Sequence, residues 1–381
     1  MDKIVVIGAF GYANNQLDGQ TIKTRNVYNL LCERYGGSVV KFDTQDFRSR
    51  PWAVFSWLKH IMTCKTLIIL PCLNNLTYIF PPVYFLSKIL RFDIVSICIG
   101  GWQVEYFAGG GKFKAHPFQM KYSKRIKAFL PEMEKVNRDL IEKLEFKNTE
   151  VFPNFRKFEL KEVNLESHAE LKMVFMARIN KQKGYPAIFE VLDILSEKKL
   201  PIGITFYGQV AEEDKEDFYD QLEKHKDVAT YQGALKPDEI HETLANYDVM
   251  LLPTRYYTEG FPGSILDAYI AGIPVIVTEW KHSHEFVNEG KSGYIVPFEG
   301  GSRLMCERIL ELYNDRNKLD VMKEKAHDEC LKYTEDAAWQ VLSKYLYRTA
   351  VGGVILYYNS PQIDEVKTSY LSTYGRIQNA S

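Results

Sequence analysis

The chain has 381 residues, with 48 Lys+Arg against 49 Asp+Glu and a formal net charge of -1. That length is too great for one ordinary core and fits two domains of roughly 150–190 residues, so a two-domain cleft is expected. The near-neutral balance argues against a protein that coats nucleic acid, and partners have to be read from local patches.

The first segment, KIVVIGAFG, is a short apolar strand entering a glycine turn, and QTIKTRNVYNLLCERYG reads as a helix stopped by Gly36 and Gly37. SVVKFD, TLIIL and FDIVSICI repeat the buried-strand pattern with helical stretches between them, the alternation that a parallel sheet requires. The most apolar region, 66–100, is broken by NN at 74–75, PP at 81–82, Lys88 and Arg91. No run therefore reaches the 18 or so residues of a spanning helix. A charged, mostly helical stretch is expected over about 123–147, followed by a hinge from VFPNF at 151–155 to about 170. A second α/β series begins at MVFMA and continues through IGITFYG, VATYQG, DVMLLP, PVIVT and GYIVP. Two doubly wound, Rossmann-like halves facing a cleft are the expected fold, with an amino-terminal domain over 1–165 and a second over 166–340. The remainder, 341–381, is expected to hold a helix and tail, with a late helix crossing back to the first half. The six cysteines, Cys32, Cys64, Cys72, Cys98, Cys306 and Cys330, form no C-x-x-C pair and no zinc spacing, and no signal peptide is read before them. Reduced thiols in the cytosol follow as the expectation.

The stretch PTRYYTEGFPGSILDAYIAGIPVIVTEW puts Glu259 before a Gly-Phe-Pro-Gly turn and Asp267 eight residues later. If a helix starts near Gly263 or Ser264, SILD is a capping box and Asp267 merely satisfies an orphan backbone donor. That leaves Glu259 unexplained, on a loop delivered by the strand DVMLLP, where open α/β sheets bind ligands. The helix behind the turn offers free N–H groups suited to phosphate. In MARINKQKG, Arg178 follows a strand and Lys183 precedes Gly184, with no acid among residues 171–189. Solvated surface charge is the bland reading of this pair; a diphosphate is the functional one, gripped by the planar Arg fork and the Lys point charge. In GAFGYANNQLDGQT, Phe10 stands where a dinucleotide fingerprint needs its second glycine and Asp43 lies too far along, which disfavours nicotinamide binding. Gly19 would still let backbone approach a phosphate.

At these residues the sequence resembles the family 4 glycosyltransferases of the GT-B fold, particularly bacterial enzymes that build capsular or exopolysaccharide repeat units. The resemblance rests on RINKQKG, FYGQV, YQGAL, YDVMLLPT, EGFPGSILDAYIAGIPVIVTEW, HEFVNEGKSGYIVP, DGQTIKTRN and IGGWQVEYF. It implies that Arg178 and Lys183 hold the donor's diphosphate, with Gly19 approaching from the first domain. Glu259 would bind hydroxyls of the transferred sugar beside the Gly260, Phe261, Pro262, Gly263 and Ser264 backbone. Asp267 would take the ribose hydroxyls, and Gly208, Gly233 and Leu235 would line the base. It further implies retention of anomeric configuration, no metal and no cofactor, the nucleotide sugar being a substrate; no Asp-x-Asp occurs in the chain. Two departures stand out. Asp267 is one methylene shorter than the family's glutamate, and Gly100, Gly101 and Trp102 stand where many members carry a histidine.

Two first-domain segments are basic and aromatic. RSRPWAVFSWLK carries Trp52 and Trp57, which serve either a helix with core aromatics or a membrane surface. KFKAHPFQMKYSKRIK carries Lys112, Lys114, Lys121, Lys124 and Arg125 with no acid, and anionic lipid would attract each cation by about 1 kcal/mol. With Gly101 and Trp102 these residues form the expected acceptor and membrane face. The expected activity is a retaining, metal-independent hexosyltransferase using a UDP-linked sugar and a lipid-linked saccharide acceptor, cytoplasmic and peripheral on the inner membrane face. A GT-B nucleotide-sugar epimerase and a catalytically silent GT-B subunit that binds a glycan or partner are the alternatives.

Overall fold

The computed structural model describes residues 3–12, 18–45, 52–109, 117–166 and 169–346. Two all-parallel sheets organise them. The first has the order β2-β1-β3-β4-β5, from β1 (Lys3–Gly8), β2 (Val39–Asp43), β3 (Cys64–Ile69), β4 (Asp93–Ile97) and β5 (Ala128–Leu130). Strand β5 lies inside the stretch expected to be mostly helical; its three residues AFL are too few to give a period, and much of the stretch's charge lies on the helix that follows, Glu134–Glu142. The second sheet has the order β11-β10-β9-β6-β7-β8, from β6 (Leu171–Met176), β7 (Ile202–Tyr207), β8 (Ala229–Tyr231), β9 (Val249–Leu252), β10 (Val275–Thr278) and β11 (Gly293–Val296).

Both faces of the first sheet are covered, and the alternation of β1 divides them. Ile4 and Val6 pack with Val27, Leu30 and Leu31 of helix Gly19–Tyr35, whereas Val5 and Ile7 join Ile61, Phe80 and Val83. Helix Gly19–Tyr35 starts from an Asp18/Thr21 capping box and ends at Gly36, whose φ of 55° no side chain adopts readily. Ala338 and Leu342 of helix Glu335–Leu342 lie against the Ile4/Val6 face, so the crossing back begins at Glu335, short of the expected 341. Residues 347–381 lie outside the described residues.

Strand order fixes where a ligand can sit. In the second sheet the chain runs outward from β6 through β7 and β8, then returns to place β9 on the other side of β6. The crevice at this reversal, above the carboxyl ends of β6 and β9, is where open α/β sheets hold ligands. The loops that carry Arg178 with Lys183 and Glu259 leave from these two strands.

Candidate active site

The β6 and β9 loops are bound to each other. Arg255 donates its backbone N–H to the Gln182 carbonyl at 2.7 Å, and Thr254 Oγ1 donates to the same oxygen at 3.3 Å. Gly184 makes this approach feasible: its φ is +89°, and a Cβ there would stand 1.8 Å from the Pro253 carbonyl oxygen. Asn180 caps the intervening turn by accepting the Lys183 N–H at 2.8 Å. Lys183 and Glu259 consequently meet in an ion pair, and the single Thr254 hydroxyl hydrogen is shared between the Gln182 carbonyl and the same carboxylate oxygen, each 3.3 Å from Oγ1. Both side chains retain some surface, 25% and 14%. Arg178 is exposed and makes no ion pair among the described residues. Gly208 closes the neighbouring turn, its N–H donating to the Gly233 carbonyl at 2.8 Å; Leu235 is half-buried. Gly19 opens the first turn of its helix with free space around its α-carbon.

Asp267 is not a cap. Helix Gly263–Ile270 has Pro262 at its N-cap position with no side-chain bond, so the capping-box alternative falls. Instead Asp267 takes both Nε (2.9 Å) and Nη2 (3.2 Å) of Arg156, and its Oδ1 also accepts from His241 Nε2 at 3.2 Å. Burial pushes this carboxyl up, but the Arg156 charge and the His241 and Arg156 bonds together outweigh it and hold the group below the usual carboxylate range. Gly263 admits the guanidinium, since a Cβ there would lie 2.5 Å from Arg156 Nη2.

The first half reaches this loop through Glu132, just beyond β5. Its Oε1 is 3.0 Å from Lys23 Nζ, with side chains 2% and 0% exposed. Lys23 also donates to the Phe152 carbonyl at 3.1 Å. Glu132 Oε2 accepts from Gly100 N at 3.1 Å and from Phe261 N at 3.5 Å, spanning the two halves. A Cβ at Gly260 would stand 2.6 Å from this carboxylate and 2.9 Å from the Gly100 α-carbon, so no side chain fits there, and Gly100 itself has a φ of +78°. Phe261 stacks on Phe286 with ring centroids 4.2 Å apart, and Asn154 donates to its carbonyl at 3.1 Å.

After β10 the chain crosses the same seam. Lys281 pairs with Glu105, and Glu285 accepts backbone N–H groups of Glu134 and Lys135 at the start of helix Glu134–Glu142. Between them His282 is buried, with neither ring nitrogen hydrogen-bonded and Nε2 directed at Gly101. Burial, with Lys281 and Lys135 nearby, lowers its pKa to about 4. Gly101 is thus small because a histidine from the other half occupies that space.

Several expected residues stand differently. Trp57 is a core residue, its ring tilted against Phe42 with centroids 5.3 Å apart, and is corrected from the membrane face; Trp52, at the N-cap of the same helix, is 78% exposed. The helical period turns the two tryptophans to opposite sides. Trp102 is half-buried and donates Nε1 to the Ile99 carbonyl at 3.0 Å. Lys121 and Arg125 are exposed, Lys124 lies over the Phe146 ring, and Lys112 and Lys114 fall outside the described residues. Lys23, Glu132, Arg156, His241 and His282 escaped the sequence reading because their partners lie far away in the chain, 109 residues apart for Lys23 and Glu132. The one available signal was a lysine on the apolar side of helix Gly19–Tyr35. Among the described residues no group of three His, Cys, Asp or Glu gathers as a metal site.

Two doubly wound sheets facing a cleft, with the site at the reversal of the second, define the GT-B fold. The structure of Anabaena Alr3699/HepE in complex with UDP and glucose shares it, with a TM-score of 0.67 at 14% identity, covering 90% of this chain and 99% of that one. Residues 156–329 match the model of the family described as Glycosyl transferases group 1. Among curated relatives, the putative colanic acid biosynthesis glycosyltransferase WcaL of Salmonella typhimurium is 26% identical over 181 residues, 46% of this chain and 44% of that protein. The capsular polysaccharide biosynthesis glycosyltransferase CapM of Staphylococcus aureus is 24% identical over 204 residues, 51% and 52% of the two chains. The matched stretch therefore spans about half the length of these relatives.

Proposed function

We propose that the chain is a retaining, metal-independent glycosyltransferase of family 4 that moves a hexosyl unit from a UDP-linked sugar to a saccharide acceptor in bacterial surface polysaccharide synthesis. The observation that carries this reading is the meeting of Lys183 and Glu259 over the β6/β9 crevice, within the group 1 domain. Each neutralises the other, and a nucleotide sugar supplies better partners for both: its diphosphate draws Lys183, and its sugar hydroxyls take the carboxylate. Arg178 stands exposed at the end of β6 as the second cation. Cationic stabilisation of a departing phosphate, greater in the transition state than in the ground state, is the contribution asked of these residues. The leaving phosphate oxygen then takes the acceptor's proton on the same face, with no side-chain nucleophile.

The acceptor is proposed to be lipid-linked and the enzyme peripheral on anionic membrane. Support comes from the first half, where Phe85 and Phe118 are exposed and share contact with the Tyr122 ring, beside exposed Lys121 and Arg125. No helix among the described residues is long and apolar enough to cross a membrane.

Calorimetry with UDP, GDP, ADP and NAD, with and without magnesium, tests the donor class. One nucleoside diphosphate is expected to bind without metal, and Arg178→Ala to weaken it by about 1.5–3 kcal/mol, as for a lost charged hydrogen bond. Binding of NAD alone, or of none, overturns the reading. Nucleotide binding without sugar transfer to any acceptor favours the silent subunit.

A further inference from the structure

The second acid of the site is spent inside the protein, and this bears on how a nucleoside would be held. Asp267 is 7% exposed, with both oxygens engaged by Arg156 and Oδ1 shared with His241. Arg156 is equally committed: Nη1 donates to the Phe155 carbonyl while Nε and Nη2 hold Asp267. The partner that keeps surface is His241, 30% exposed. It lies on helix Ile240–Leu244, which follows the Gly233–Leu235 turn and packs against helix Gly263–Ile270.

We propose that His241, oriented by Asp267, is the residue that accepts a ribose hydroxyl of the donor nucleotide, in place of the acid itself; this rests on the nucleotide-sugar reading above. A carboxylate only accepts, so the bond to Asp267 makes His241 Nε2 the protonated nitrogen. In the neutral ring Nδ1 then carries a lone pair, and no described residue donates to it. The ring, 30% exposed, thus offers at Nδ1 the acceptor character that the buried acid no longer has free. This also accounts for the short side chain at 267: a longer one would displace the histidine and the guanidinium that it orients.

The test is calorimetric titration of the full chain with UDP and 2′-deoxy-UDP, and with GDP and 2′-deoxy-GDP as a second pair. The wild type is expected to prefer the ribonucleotide by roughly fivefold to tenfold, the range of one neutral hydrogen bond. His241→Ala should lose that factor for the ribonucleotide and remove the discrimination, with a modest fall in melting temperature from the lost bond to Asp267, which Arg156 still holds. His241→Asn, with a side-chain oxygen near the place of Nδ1, should recover part of the preference, which a merely structural role would not produce. If His241→Ala separates the paired nucleotides as the wild type does, the inference falls and the donor reading stands. If the wild type binds neither UDP nor GDP, both fall.

Discussion

At Gly184 a single hydrogen in place of a side chain decides whether the β6 and β9 loops can touch. Its φ of +89° and the 1.8 Å clash awaiting a Cβ at Pro253 mean that Gly184→Ala must both strain the backbone and part the loops. A loss of about 1–3 kcal/mol in unfolding free energy is expected from denaturant titration, together with weaker nucleotide binding, because Lys183 follows the displaced turn. His282 makes a second prediction, through pH. Its pKa is about 4 when folded against 6.5 ordinarily, so the unfolded chain takes up the proton first. Its contribution to stability is whole above about pH 6.5 and is lost as the pH falls towards about 4. The group shift is set by burial and by Lys281 and Lys135, with Glu105 and Asp139 opposing. His282→Leu removes the titration, so the melting temperature of the variant relative to wild type should be higher at pH 5 than at pH 7.5. An unchanged difference at the two pH values would contradict a buried neutral imidazole.

The helix Gly19–Tyr35 and the turn just beyond strand β5 are joined by the Lys23–Glu132 pair, whose side chains are 0% and 2% exposed. Lys23→Met leaves Glu132 buried without its cation and is expected to cost about 3–5 kcal/mol in unfolding free energy. The double variant Lys23→Met, Glu132→Gln removes both charges and should recover most of that loss. Failure of the double variant to recover would show that Lys23 acts through its bonds to the Phe152 and Cys98 carbonyls instead. Surface pairs such as Arg34–Asp336, with side chains 33% and 43% exposed, contribute at most about 1 kcal/mol each. The returning helix Glu335–Leu342 is therefore held mainly by burying Ala338 and Leu342.

Across the whole molecule, the seam and the outer face of the first half do different work. The seam is polar and specific: Glu132 spans Gly100 and Phe261, Lys281 meets Glu105, and Glu285 caps helix Glu134–Glu142. The outer face is apolar and basic, with Trp52 78%, Phe55 69%, Tyr78 74% and Ile89 74% exposed on its helices. Large apolar side chains left this exposed would suit the membrane contact proposed above. Liposome flotation should recover the protein with anionic vesicles and less with neutral ones, and less again for Phe85→Ser combined with Phe118→Ser. Equal recovery on both vesicle types would count against the membrane reading.

Sequence alone determined the two α/β series, the strands other than β5 and the loops that carry Arg178, Lys183 and Glu259. Those features depend on local period and on turn residues, which are written in adjacent positions. It left Trp52 and Trp57 undivided, read β5 as helix and held Asp267 between a cap and a ligand. Only tertiary structure decided these, because each depends on a partner remote in the chain: Phe42 beneath Trp57, Glu132 across from Lys23, and Arg156 against Asp267 over 111 residues. Burial of a charge is favourable only where an opposite charge or several hydrogen bonds receive it, and no local pattern records where the fold will bring that partner.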